Sequence, residues 1–261
     1  MSAVLKPLEV RVVQAGTTES NSENIRSALA RGLPELAPAV CSHDGTFVIV
    51  ASGPSLPSFV QDIRAEQAKG RPICAINGAY DFLVENGITP NFFLTVDPRP
   101  MPQNVTKPQQ ETVYLLASRV NPEVFDRLKD HKIMLWHSWS REPECDAWKG
   151  KFGIGGGTTS GLRAVNVGYV LGFRKFVMYG MDSCLAPDRD TKRFTGEVVG
   201  PGLVIDVRVG DRTFYCNGAL AQQANEFQLL YQGMPDATID AKGDGLIAAI
   251  IAERRRLGKH A

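Results

Sequence analysis

Val48-Ile49-Val50-Ala51-Ser52-Gly53-Pro54-Ser55-Leu56 is the stretch whose reading decides the fold. A continuous β-branched run of this kind is a strand buried on both faces, the habit of a parallel sheet. It ends at Ser52-Gly53-Pro54-Ser55, and an amphipathic stretch follows over about 56–69. Strand, tight glycine turn and helix together aim backbone N–H groups and a helix N-terminus at an anion. Gly53 lets the backbone come close to a ligand, while Pro54 and Ser55 suit the first helical turn and its cap. An ordinary β–α turn looks the same in isolation. Recurrence of the pattern along the chain is what separates the two readings.

The pattern does recur. Apolar strands are expected at 73–76, ending at Asn77-Gly78, and at 92–96, ending at Asp97-Pro98. Others follow at 113–116, at 133–135 just before His137-Ser138, and at 175–179, ending at Gly180-Met181-Asp182. Helices are expected between them at about 80–86, 121–129 and 160–171. This alternation predicts an α/β fold, a mostly parallel, twisted Rossmann-like sheet with helices on both faces. Upstream, Glu9-Val10-Arg11-Val12-Val13 alternates like a strand, and a helix over 21–33 is opened by Ser20 or Asn21 and closed by Gly32. Downstream, 183–202 is rich in charge, Gly and Pro and reads as a lid. A hairpin is expected at 203–209 and 213–215, then a helix to 231 capped by Asn217, a short strand at 238–241, and a last helix with Asp244 near its cap. With no internal repeat and no low-complexity linker, the chain reads as a single α/β domain, 1–261. Within it lie an N-terminal extension (1–46), a nucleotide-binding core (47–182), the possible lid (183–202), and a C-terminal hairpin and helices (203–261).

Composition narrows the function classes. Of 261 residues 43% are apolar and 22% charged, ordinary for a soluble globular protein. The formal net charge is +1, which gives no electrostatic case for nucleic acid or membrane surfaces. The five cysteines are widely spaced without a C-x-x-C pair, so neither a disulfide framework nor a zinc site is suggested. No apolar run approaches the roughly 18–20 residues of a membrane span, and the start has no signal-peptide pattern. A cytoplasmic protein is expected.

Open α/β sheets bind ligands outside the carboxyl ends of their strands, so the polar strand ends above share one crevice. Gly155-Gly156-Gly157-Thr158-Thr159-Ser160-Gly161 is a second candidate cradle, with glycine N–H groups and hydroxyls at a helix start. It is neither a Walker A loop nor a G-x-G-x-x-G fingerprint, and a flexible loop with a hydroxyl cap would read similarly. Asp97 and Asp182, each at a strand end, can hold a divalent ion with substrate phosphates or bond a sugar hydroxyl; strand-end aspartates also serve as plain helix caps. Asp188-Arg189-Asp190 has the spacing of some metal-dependent glycosyltransferases but lies in a polar loop. His137 is the histidine placed to act as a general base.

Taken in order, these elements resemble a known family. The run at 48–56, Asn77-Gly78 after a strand, the Gly-Ile-x-Pro-x-Phe segment ending in Asp97, and Thr159-Ser160-Gly161 leading to Asp182 are similar to the MptE-like 6-hydroxymethylpterin diphosphokinases. That family also takes in the Maf flagellin glycosyltransferases. The same order is similar to bacterial sialyltransferases that use CMP-sugars. The resemblance covers about half the chain and implies a nucleotide-dependent transferase. The donor would be a CMP- or UDP-sugar, or ATP with Mg²⁺ if diphosphate is transferred to a pterin-like alcohol. It implies that Gly53, Pro54 and Ser55 embrace the nucleotide, that Asn77 touches the donor, and that Thr159, Ser160 and Gly161 bind phosphate or carboxylate. Asp182 would hold a sugar hydroxyl or a metal. One departure stands out: the sialyltransferases place a catalytic histidine after the Gly-x-Asp strand, and here no histidine occurs between His137 and His260. A binding protein without turnover is therefore a third expectation.

Overall fold

The run at 47–50 forms the centre of the molecule, with no solvent-exposed surface on Phe47, Val48, Ile49 or Val50. A computed structural model describes residues 15–101, 104–199 and 204–258; the strand expected at 9–13 and His260 lie outside them. In chain order the elements are α1 (Thr18–Ala30), β1 (His43–Val50), α2 (Val60–Ala68), β2 (Ile73–Ile76), α3 (Ala79–Glu85), β3 (Phe92–Thr95), β4 (Val113–Ala117), α4 (Pro122–Arg127) and β5 (Lys132–Ser138). There follow β6 (Gly153–Ile154), α5 (Ser160–Val170), β7 (Phe173–Tyr179), β8 (Ile205–Val209), β9 (Arg212–Cys216), α6 (Gly218–Gln232), β10 (Thr238–Ala241) and α7 (Leu246–Arg256).

Eight strands form one sheet in the order β10-β7-β1-β2-β3-β4-β5-β6, and every pairing within it is parallel. β8 and β9 make a separate antiparallel hairpin. β1 hydrogen-bonds β2 on one side and β7 on the other, and Phe47 to Val50 are buried on both faces, which is why its sequence does not alternate. The chain lays down β1 through β6 in one direction, then returns to the other side of β1 for β7. That reversal is the topological switch point of a Rossmann-like sheet, and the crevice at such a point is where ligands bind.

Local details differ from the sequence expectations for physical reasons. α1 starts three residues early because Thr17, not Ser20 or Asn21, is its cap; the Thr17 and Ser20 side chains satisfy each other's backbone N–H groups. The helix expected over 56–69 is split into a 3-10 turn, Leu56–Phe59, and α2, because Pro57 sits in its first turn. β5 runs on to Ser138, and Gly153–Ile154, expected as loop, pairs with its end. α7 is capped at Gly245, directly after Asp244, near which the cap is expected. A side chain on Gly245 would drive a Cβ to 2.6 Å from the Asp182 Cα. Among the described residues, no helix is long and apolar enough to cross a membrane.

Candidate functional site

The cleft opens at the carboxyl ends of β1, β2 and β7. Its walls are Ser52-Gly53-Pro54, Asn77, the residues 180–184 after β7, the start of α5 at Thr159-Ser160-Gly161, and Gln223 of α6. Lys192 and Arg193 complete it from the segment that follows β7.

The glycine turn after β1 is built from inside. Gly53 N–H donates to the Gly180 carbonyl at 2.8 Å. The Ser55 N–H and hydroxyl both donate to the Asp182 carboxylate, at 3.0 and 2.7 Å. Pro54 has no N–H to offer. The amides of this turn are thus spent on β7, and Ser55 gives the helix no side-chain cap. Gly53 is required by close approach: a Cβ on it would lie 2.2 Å from Asp182 Oδ2 and 2.5 Å from the Gly180 carbonyl. Gly180, at φ +63°, meets Ala51 O in the same way, with a Cβ at 2.3 Å. Two strand ends are locked together across the switch point.

Asp182 lines the cleft but is 6% exposed. Burial pushes its carboxyl above the usual carboxylate range, against the pull of the two Ser55 bonds. Asp97 stands outside the cleft lining. Its Oδ1 accepts from Arg99 N–H and Nε, and its Oδ2 from Arg99 Nη2 at 2.6 Å. Burial works to raise its pKa, and the Arg99 guanidinium outweighs this and holds it below the ordinary value. A resident divalent ion needs open carboxylate oxygens. Here Arg99 occupies one carboxylate and Ser55 the other, and among the described residues no three His, Cys, Asp or Glu side chains form a metal-holding group. This arrangement does not fit an ion held by the pair alone.

The second cradle divides. Thr159 caps α5 and also accepts from Gln223 Nε2 at 2.8 Å. Ser160 Oγ accepts from Val96 N–H at 3.3 Å and from Asn77 Nδ2 at 3.5 Å, tying the ends of β2 and β3 to the helix start. The amides of Ser160 and Gly161 fall in the first turn of α5, where a helix supplies no acceptor of its own. Asn77 holds a left-handed backbone (φ +50°), and its Oδ1 is buried without a partner. Thr159, Ser160, Gly161 and Asn77 therefore converge on the cleft. Gly157 and Thr158 turn away, and Thr158 donates from its N–H (2.8 Å) and hydroxyl (2.9 Å) to Glu226 Oε2 on α6.

His137 is not in the cleft. It lies on β5, three strands from β2, about 14 Å at the spacing of a sheet. The ring is 2% exposed and stacks on Trp148 at 5.3 Å, and Glu35 Oε2 approaches its Nε2 to 3.4 Å without hydrogen-bond alignment. Burial lowers its pKa, the nearby Glu35 opposing this. Asp188 is a turn former: its Oδ1 accepts from the N–H groups of Asp190 and Thr191, both at 2.9 Å. Cys184, in the cleft wall, is pushed up to about 11 by burial and stays a thiol at neutral pH. Lys192, Arg193 and Gln223 escaped sequence reasoning. The first two were legible only as part of a charge-rich loop, and Gln223 as one polar residue on a helix.

An open, all-parallel sheet with its cleft at the β1–β7 reversal, beside a helix N-terminus, defines a Rossmann-like α/β fold. The family follows from a further match. Residues 19–188 fit the model of the family described as 6-hydroxymethylpterin diphosphokinase MptE-like, and the chain belongs to that family. Among solved structures, it is similar to the Maf glycosyltransferase from Magnetospirillum magneticum AMB-1, with a TM-score of 0.69 at 17% identity. That alignment covers 94% of this chain and 43% of the neighbour, so the chain spans less than half of that protein. No curated protein matches.

Proposed function

We propose that the protein is a nucleotide-dependent transferase that moves a sugar from a nucleotide sugar to an acceptor. The observation that carries this reading is one cleft at the switch point holding both the N-terminus of α5 and two cations, Lys192 and Arg193. Such a site suits an anion whose charge grows as the donor bond breaks. The first-turn amides of α5 and the two cations stabilise the departing nucleotide phosphate electrostatically. Gln223 and Thr159 hold the helix start, and Asp182 acts through Ser55 to fix the turn that shapes one wall. The Maf neighbour supports glycosyl transfer by analogy of fold.

The family match favours a second reading, transfer of diphosphate from ATP to a pterin-like alcohol. Thermal-shift screening of the protein against CMP, UDP, GDP and ATP, each with and without Mg²⁺, separates the two. A ligand at a hundredfold excess over its Kd raises the Tm of a chain of this size by on the order of 5 °C. A shift with CMP or UDP is the expected result. A shift confined to ATP with Mg²⁺ favours the diphosphokinase, and no shift with any of them overturns the nucleotide reading.

A further inference from the structure

The stretch 188–199 is a built element rather than a loose strap. Lys192 N–H donates to the Glu197 carbonyl at 2.7 Å, Val199 N–H to Asp190 at 3.1 Å, and Thr191 bridges Val198 in antiparallel fashion. Its tip turns at Gly196 and is fastened to the cleft wall. Phe194 N–H donates to the Ser52 carbonyl at 3.2 Å, and its ring packs on Phe82 of α3 at 4.7 Å. The fastening puts Lys192 and Arg193 into the cleft lining. The carboxylate in ion-pair contact with both is Glu197, 3.6 Å from Lys192 Nζ and 3.0 Å from Arg193 Nε; Asp97 also feels the Arg193 charge, and neither carboxylate belongs to the lining. The cleft therefore contains two groups of donors on separate supports, the amide end of α5 and a cation pair whose counter-charges sit outside the lining.

We propose that Lys192 and Arg193 form a clamp for the second phosphate of a diphosphate, with Glu197 as the internal anion that the ligand competes against. One phosphate group meets the start of α5 and the other meets the pair. An Arg and a Lys on adjacent positions supply a forked and a point-like donor to the same oxygens. The clamp thus selects a nucleoside-diphosphate donor over a nucleoside-monophosphate sugar. The proposal rests on the nucleotide reading only for where the rest of the ligand lies.

The test uses probes without a base. Inorganic phosphate and inorganic diphosphate are titrated calorimetrically into the unaltered protein, the Lys192→Ala/Arg193→Ala double variant, and Glu197→Gln. The unaltered protein is expected to prefer diphosphate by about tenfold or more, and the double variant to lose that preference, since each charge-assisted contact is worth about that much. Glu197→Gln is expected to bind diphosphate severalfold more tightly, by about threefold to tenfold, because it removes the competing charge. Equal affinity for the two anions in the unaltered protein, a preference retained by the double variant, or weaker binding by Glu197→Gln each overturns the clamp. The gain expected from Glu197→Gln cannot come from misfolding. A diphosphate preference that depends on the pair, in a protein that no nucleotide stabilises, upholds the clamp and sinks the nucleotide reading instead.

Discussion

The carboxyl edge of the sheet has two halves that ended differently. At β7, β1 and β2 the edge is open, and at β4, β5 and β6 it is filled. α1 crosses the second half: Asn24 Nδ2 reaches the Arg119 carbonyl at 3.1 Å, and Asn21 Nδ2 reaches Glu144 Oε1 at 3.2 Å. Arg119 pairs with the same Glu144 oxygen at 3.4 Å, and Trp148 lies flat on His137. Arg163, pulled down to about 10 by burial, spends Nη1 on the carbonyls of Trp139 and Ile154. Both halves carry polar strand ends and glycine-rich turns. What separates them is the direction of the chain: where it reverses, the connections leave in opposite senses and a crevice remains, whereas where it runs on, a covering helix fits across. Polarity at a strand end marks an edge, and topology decides whether that edge is a site.

The strongest way to break this contrast is Gly53→Ala. A methyl there meets Asp182 Oδ2 and the Gly180 carbonyl well inside contact distance, so β1 and β7 must part at the switch point. The variant is expected to lose about 2–3 kcal/mol of stability, the cost of overpacking a closed site. Nucleotide binding should weaken by on the order of tenfold or more, because the same turn shapes the cleft wall. Urea denaturation and calorimetry check the two. A variant that is destabilised but binds normally would show that the turn carries fold and not function.

Much of the open half was legible beforehand. A β-branched run without alternation has few homes other than a central parallel strand, and Asn77, Ser160 and Asp182 stand at strand or helix ends where a parallel sheet must gather them. The roles inside the gathering were not legible. Nothing local says that Ser55 bonds a residue 127 positions away, or that Asp97 is taken by Arg99 two residues on. His137 has the sequence environment of a catalytic base, and its burial comes from Trp148 and Glu35, which only the fold brings near. Lys192 and Arg193 look like solvated charge until Phe194 is seen fastened to Ser52.

A milder test works on the filled half. Because burial lowers the His137 pKa in the folded chain, the unfolded chain takes up its proton first as pH falls. Stability linked to this group is present above the unfolded value near 6.5 and is lost as pH drops from there toward the folded pKa. His137→Phe keeps a ring against Trp148 and gives up only the 3.4 Å approach of Glu35, as neither ring nitrogen makes an aligned hydrogen bond. It is expected to cost under about 1.5 kcal/mol and to flatten the fall of Tm between about pH 7 and 5. Nucleotide affinity and any turnover should be unchanged. Lost turnover with an undiminished pH slope would make His137 the base and would move the site into the filled half.

The smallest effect is expected at Gly155, and it bears on the contrast most directly. Gly155, Gly156 and Gly157 look in sequence like a better anion cradle than Ser52-Gly53-Pro54. Gly156 and Gly157 hold left-handed backbones against Asn166 and Leu162, as a closed turn requires. Gly155 has no such conformation, and the nearest atom to an added Cβ is Trp139 Cε3 at 3.9 Å, ordinary contact. Gly155→Ala therefore removes freedom from the unfolded chain and little else, and is expected to stabilise by about 0.5 kcal/mol. Nucleotide affinity should not move, since the run faces Glu226 and Asn166 rather than the cleft. If Gly155→Ala instead weakens nucleotide binding as Gly53→Ala does, the glycine run must swing to the ligand, and the two halves of the edge close into one site when the donor arrives.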